Sequence, residues 1–273
     1  MLDYAVGVAA SAVEEPKNHR EAVKMADWRK AMQEEIDAHK RNGTWELVPL
    51  PQGQHVVGSK WVFKVKRNEE DKIVKLKARV VAQGYSQQFG VDYDEVFAPV
   101  MRQSTLRTFL AVAGKHKLIV RHIDVKTAYL NGTLEEELYM RLPPSFEVPG
   151  QEELVCRLRK SIYGLRQSAR CWNKHLHDVL TKMGFKASTA DQCLYTKMTG
   201  KTKTFLLVYV DDIILASTDE AETTRIYESL SKQFEITDLG EVRHFLGMEV
   251  HGILSYRMYD CRHHDEALRT PET

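Results

Sequence analysis

The chain of 273 residues is poor in cysteine, with four, and none of them stands in a CxxC spacing. That excludes a disulfide framework and the common zinc-ribbon arrangements, so Cys156, Cys171, Cys193 and Cys261 read as reduced and non-ligating. No run approaches the roughly 18 apolar residues that cross a bilayer. The first thirteen residues lack the basic start and apolar core of a secretory signal. The expected setting is therefore intracellular, cytoplasmic or nuclear, with no membrane and no secretion. The net charge is only +1, so there is no global signal for a polyanionic partner. Internal repeats and low-complexity tracts are absent as well.

What is present is a large apolar fraction, 43%, beside 28% charged residues, enough to bury a core in one large domain or two lobes. Charge is uneven along the chain. Residues 58–90 carry eight Lys/Arg and three acids, residues 155–177 carry six Lys/Arg and no acid, and residues 131–153 between them are acidic. Two basic segments on a neutral chain fit a groove for a polyanion, although on charge alone solvated strands are the plainer explanation.

The stretch from Phe205 to Ala216 stands out. Two apolar, β-branched runs flank Asp211 and Asp212, which reads as a hairpin of buried strands with the acids at its turn. Paired acids at the mouth of an apolar hairpin suggest a bound cation, because unpaired buried charge is costly. Mg²⁺ suits carboxylate oxygens and leaves positions open for phosphates. A surface turn that happens to be Asp-Asp explains the stretch equally well by itself. Asp124 repeats the anomaly at the end of another apolar strand, 118–125, and lies 87 positions before Asp211.

Elsewhere, periodicity predicts a helix from about Pro16 to Asn42, with Trp28, Met32 and Ile36 on one face and Gly43 ending it. Residues 44–48 begin strand-like structure. A hairpin of 61–66 and 73–82 follows, with Trp61, Phe63 and Val65 on one side and Lys60, Lys64 and Lys66 on the other. Ser104 is expected to cap a helix that Gly114 stops, and Gly184 to close a helix bearing Trp172, Leu176, Val179 and Met183. Strands are expected at 135–142, 154–158, 193–197 and 205–210, a helix at 221–234, a turn at 238–240 and a last hairpin element at 245–250. His263 and His264 beside Asp265 fit no standard metal spacing and read as part of a solvated tail.

In this order the motifs resemble the reverse transcriptase of copia-type LTR retrotransposons. The matching pieces are Trp28-Arg-Lys-Ala-Met-Gln-Glu-Glu-Ile36, Asn42-Gly-Thr-Trp-Glu-Leu-Val48, Lys60-Trp-Val-Phe-Lys64, Lys77-Ala-Arg-Val-Val-Ala-Gln-Gly84, Phe97-Ala-Pro-Val100, Asp124-Val-Lys-Thr-Ala-Tyr-Leu-Asn-Gly132, Tyr163-Gly-Leu-Arg-Gln167 with Trp172, Tyr209-Val-Asp-Asp212 and Phe245-Leu-Gly-Met-Glu249.

The resemblance implies an α+β right-hand polymerase of fingers and palm, its antiparallel palm sheet backed by helices, over residues 20–250. Fingers are expected at about 20–98 and 132–163, and palm at about 99–131 and 164–250, with 1–19 a loose lead-in and 251–273 an aberrant tail in place of a thumb. The implied activity is RNA-directed DNA polymerisation by two-metal nucleotidyl transfer from a deoxynucleoside triphosphate to a primer 3′ hydroxyl on an RNA or DNA template. The resemblance makes Asp124, Asp211 and Asp212 catalytic. With the carbonyl of Val125 they would hold two Mg²⁺ ions, Mn²⁺ being an alternative. It assigns the nucleotide to Lys64 or Lys66, Lys77, Arg79, the steric gate Tyr129, and Tyr163 with Gly164 under the base. It assigns primer and template to Arg166, Arg170, Tyr209, Phe245, Leu246 and Gly247. The four tryptophans read as core.

The family's usual companions, protease, integrase and RNase H, have no counterpart in the chain, so a fragment of a longer polyprotein is expected. Two other readings compete: a relic that keeps the fold and binds nucleic acid without catalysis, and a palm-type nucleotidyl enzyme such as a cyclase.

Overall fold

A computed structural model of the protein describes residues 14–68, 71–146, 150, 153–246 and 248–250. The expected lead-in before residue 14, Gly247, and the tail with its histidine pair lie outside the described residues. In chain order the elements are α1 (His19–Ala22), α2 (Ala26–Asn42), β1 (Trp45–Pro49), β2 (Val56–Val57), β3 (Ser59–Arg67), β4 (Ile73–Ala82), α3 (Gln103–Lys115), β5 (Ile119–Val125), β6 (Thr133–Met140), β7 (Leu154–Lys160), α4 (Ser168–Lys182), β8 (Lys186–Ala187), β9 (Leu194–Thr199), β10 (Thr202–Tyr209), β11 (Asp212–Ser217), α5 (Glu220–Ser231), β12 (Ile236–Gly240), β13 (His244–Phe245) and β14 (Met248–Glu249). The fold is mixed α+β, and the chain divides into two compact units, residues 1–96 with 129–172 and residues 97–128 with 173–273.

The first unit is built on α2. Trp28, Met32 and Ile36 recur every four residues and are buried, so one stripe of the helix faces inward. Gly43 ends it at φ +57°, a left-handed cap that a Cβ would strain. The single helix expected from Pro16 is instead two. Asn18 caps α1 through a bond from the Glu21 N–H at 3.1 Å, and the chain restarts at Ala26. The α2 stripe packs on Trp61, Phe63, Ala78 and Val80 of the antiparallel β3–β4 ribbon. A four-stranded sheet, ordered β1-β7-β6-β2, completes the unit.

The second unit is a six-stranded sheet ordered β12-β5-β11-β10-β9-β8, antiparallel throughout. Alternation puts Val120, Ile214, Ala216 and Leu207 on one face, and α3 packs there through Leu106, Phe109, Leu110 and Ala113. α5 packs against β5 and β11.

Four local expectations are corrected. Ser104 does not cap α3. The cap residue is Arg102, without a side-chain cap bond of its own, and the buried Asp191 anchors the start of the helix instead, accepting the Arg102 N–H at 3.0 Å and the Thr105 hydroxyl at 2.6 Å. Gly114 lies inside α3, and Lys117 takes the left-handed turn at φ +51°. The turn expected at 238–240 is the end of edge strand β12. The Asp238 carboxylate does accept the Gly240 N–H at 2.9 Å, but the pairing with β5 absorbs this as a bulge. α5 stops at Ser231 rather than running on to Phe234. Cys156, Cys171 and Cys193 are buried free thiols. Burial pushes Cys156 up to about 12, and burial with the nearby Asp191 does the same to Cys193. Neither is a thiolate ligand at neutral pH. Among the described residues no helix is long and apolar enough to cross a membrane.

Candidate active site

In the second unit, β10 and β11 form the hairpin expected around the acid pair. Tyr209 pairs with Asp212, leaving Val210 and Asp211 as a two-residue loop. Val210 sits at φ +53°. For a β-branched residue this left-handed conformation costs about 1–2 kcal/mol, and such strain gathers at functional sites. On the other side of β11 runs β5, in a register that sets Asp212 directly opposite Asp124. The Val125 N–H donates to the Asp211 carbonyl at 2.8 Å, so the loop itself is tied to the strand that carries Asp124. Folding thus gathers the three acids' backbones at one end of two adjacent strands.

Their side chains are less gathered than expected. His122 lies two residues before Asp124 on the same face, and its Nε2 is 2.8 Å from Asp212 Oδ1. A carboxylate only accepts, so this nitrogen carries the proton. The imidazole is buried, with the Phe245 ring edge-on at 5.4 Å. Among the described residues no group of three or more His, Cys, Asp or Glu side chains is arranged to hold a metal ion. The donor set suits a hard divalent cation in chemistry and in strand register, while the Asp212 carboxylate is turned to His122. Phe245, expected to meet the primer, is buried in the core of this unit, whereas Leu246 beside it is exposed at φ +49°. Tyr209 is half-buried. The same sheet face and α3 border a cavity of about 360 Å³ near Thr105, Phe109, Leu194 and Phe205, and none of the three aspartates lines it.

In the first unit, the register of β3 on β4 sets Lys64 opposite Lys77, Lys66 opposite Lys75, and Val62 opposite Arg79. One face of the ribbon is therefore cationic. Like charges directly opposite one another are destabilising, which fits a face kept for an anion. The diagonal neighbours of Arg79 are Lys60 and Lys64, and Lys66 is a step further away. Lys60 was legible as a member of this face but not as a neighbour of Arg79. Lys64 also meets the Glu15 carboxylate at 3.1 Å. The N–H of Val65 and the Lys64 ammonium together lower the Glu15 carboxyl below its ordinary range.

The Arg79 guanidinium lies 4.3 Å from the centroid of the Tyr163 ring, and the Tyr129 ring meets Tyr163 at 4.6 Å and 65°. Gly164 stands at φ +92°, where a Cβ would overlap the Ala82 carbonyl oxygen. Arg166 and Arg170 are drawn into internal contacts. Arg166 Nε donates to the Gly84 carbonyl at 3.0 Å and Arg170 Nε meets Glu95 at 2.9 Å. A buried amide network not legible in the sequence sets this turn, with Gln87 donating to Gln167 at 3.0 Å while accepting the Arg166 N–H at 2.8 Å.

Residues 42–265, which include Asp124, Asp211 and Asp212, match the family described as reverse transcriptase (RNA-dependent DNA polymerase). The chain is a member of that family, of the copia-type retrotransposon branch. It is 41% identical over 222 residues to the Pol polyprotein of transposon TNT 1-94 from Nicotiana tabacum, covering 81% of this chain and 17% of that one. It is 38% identical over 262 residues to the Pol polyprotein of transposon RE1 from Arabidopsis thaliana, covering 94% and 18%. Against the Ty1-H Gag-Pol polyprotein of Saccharomyces cerevisiae identity is 29% over 208 residues, covering 73% and 11%. The chain thus spans less than a fifth of the length of these polyproteins.

Proposed function

We propose that the chain is an RNA-directed DNA polymerase domain, its second unit serving as palm and its first as fingers. The observation that carries this reading is the register of Asp212 opposite Asp124, with Asp211 tied by its carbonyl to Val125. Asp124 and Asp211, with Asp212 in support and the Val125 carbonyl, would hold Mg²⁺, which when bound supplies the positive charge that acidifies the primer hydroxyl and neutralises the phosphates.

The chain's own residues do the rest. The cationic face around Arg79 and Lys64 attracts and orients the triphosphate of a deoxynucleotide. The Tyr129 ring would bar a ribose 2′ hydroxyl. The rigid two-residue loop at Val210 holds the acids still while a bond forms. RNA or DNA template and primer are the partners, with Arg166, Arg170, Tyr209, Leu246 and Gly247 as contacts. Of the primer contacts expected, Phe245 serves through its packing on His122 instead.

Primer extension on a primed RNA template in Mg²⁺ tests the reading. Wild type extends and Asp211→Asn does not; equal extension by both removes the carboxylate assignment. One observation favours a nucleic-acid-binding relic instead, namely that the three carboxylates do not form a ready three-donor cluster. In that case neither protein extends, and both bind duplex at low salt.

A further inference from the structure

We propose that Tyr163 is a positioning residue that couples the triphosphate grip of Arg79 to the sugar gate Tyr129, so that one ring transmits between the two features by which a deoxynucleotide is selected. The proposal rests on the polymerase reading above.

Three observations carry it. First, the Arg79 guanidinium sits over the Tyr163 ring at 4.3 Å, and Arg79 Nε is buried with no hydrogen-bond partner. The ring's negative face, not a hydrogen bond at that nitrogen, fixes the inner end of the cation. Second, Tyr129 meets the same ring edge-on at 4.6 Å, the favoured geometry for two aromatic quadrupoles. Third, the backbone leaves Tyr163 little freedom. Its carbonyl accepts the Ala82 N–H at 2.8 Å. Gly164 after it occupies a left-handed conformation with no space for a Cβ against Ala82. Two residues before it, Ser161 Oγ donates to the Tyr129 carbonyl at 2.6 Å and the Ser161 N–H donates to the Gly132 carbonyl at 2.8 Å. One short turn is therefore bonded to the strand that bears Arg79 and to the segment that bears Tyr129. A ring held this way cannot lose its face without releasing the cation and the gate together.

The ring face is needed rather than the hydroxyl, so Tyr163→Phe should recover most of what Tyr163→Leu loses. Tyr163→Leu should raise the KM for dNTP about tenfold and lower selectivity for dNTP over rNTP about tenfold, in the same variant and with a smaller change in kcat. By contrast, Arg79→Leu should move KM most and selectivity by a smaller factor, and Tyr129→Ala should move selectivity most and KM by a smaller factor. The measurement is steady-state single-nucleotide incorporation on a primed template by the full chain, with active enzyme titrated so that misfolded protein does not count as a change in kcat. Tyr163→Leu changing only one of the two parameters, or only kcat, overturns the coupling, as does a Tyr163→Phe variant as impaired as Tyr163→Leu.

A second measurement separates this from the polymerase reading. Urea unfolding of the Tyr163/Arg79 and Tyr163/Tyr129 double-mutant cycles needs no catalysis. Non-additive midpoint shifts in both cycles support the coupling even where wild type fails to extend a primer, an outcome that counts against the polymerase reading alone. Additive shifts overturn the coupling.

Discussion

His122 Nε2 lies 2.8 Å from Asp212 Oδ1, and the same imidazole packs edge-on against Phe245. The bond orients one acid of the pair from the strand that carries Asp124, and through Phe245 it leans on the β13–β14 hairpin. Residues that orient a metal-site carboxylate are typically worth about 10- to 100-fold in activity. His122→Leu should therefore slow primer extension by about that factor, and His122→Gln, which keeps a donor, should restore most of it. Equal rates for His122→Leu and wild type would mean that the contact has no part in the reaction.

Tyr129→Ala should relax discrimination against ribonucleotides while leaving the protein folded, since the ring packs on Tyr163 rather than forming the centre of a core cluster. Competition between dNTP and rNTP at a single template position measures it. An active variant with unchanged selectivity would reduce Tyr129 to a packing residue.

Val210 at φ +53° stores strain that glycine would release. Relief of about 1–2 kcal/mol is partly offset by the entropy glycine loses on folding, about 0.5–1 kcal/mol. Val210→Gly should therefore raise stability by at most about 1.5 kcal/mol while slowing catalysis, because the loop that carries Asp211 is loosened. A lowered urea midpoint would contradict the strain.

Gly164 and Gly43 separate strain from space. Both have positive φ, but only at Gly164 would a Cβ strike neighbouring backbone. Gly43→Ala should cost about 1 kcal/mol, the conformational penalty by itself. Gly164→Ala should cost more than about 2 kcal/mol, and the displaced turn should disturb Tyr163. Thermal melts of the two variants make the comparison directly.

Asp191 makes the second unit sensitive to acid. Burial alone would raise its carboxyl, but the Thr105 hydroxyl, the N–H groups of Arg102 and Cys193, and the Arg102 charge outweigh burial and hold it below the usual Asp value. A carboxyl whose pKa is depressed on folding contributes stability above its unfolded value of roughly 4, and that stability is lost as pH falls through the folded value. Stability should thus drop below about pH 4. Asp191→Asn should be less stable at neutral pH and should show a shallower fall over that range. Removing the acceptor altogether, as in Asp191→Ala, should cost about 2–4 kcal/mol at neutral pH. An acid limb of unchanged steepness in Asp191→Asn would assign the pH dependence to other carboxylates.

Local pattern carried much of the architecture. The four-residue spacing of Trp28, Met32 and Ile36, the alternation of Trp61, Phe63 and Val65, and the hairpin around Asp211 and Asp212 all reappear as expected elements, because each depends on residues a few positions apart. The misreadings arose where a distant group intervened. Ser104 looked like a cap, but Asp191 supplies the acceptor from 89 positions downstream of Arg102. Asp238 and Gly240 do form the local bond that signals a turn, yet pairing with β5 makes the segment an edge strand.

For the site, the sequence by itself determined the candidates for the chemistry, acids at the ends of apolar strands and a cationic strand face, and a motif order that places the chain in a family. Tertiary structure alone decided their partners. Asp212 comes opposite Asp124 because β5 inserts beside β11 in the sheet, and no periodicity within either strand encodes that neighbour. His122 on Asp212, and Tyr163 between Arg79 and Tyr129, follow likewise from strand register and backbone contact. Hydrophobic patterning specifies which face a side chain takes, and only the packed chain specifies what stands across from it.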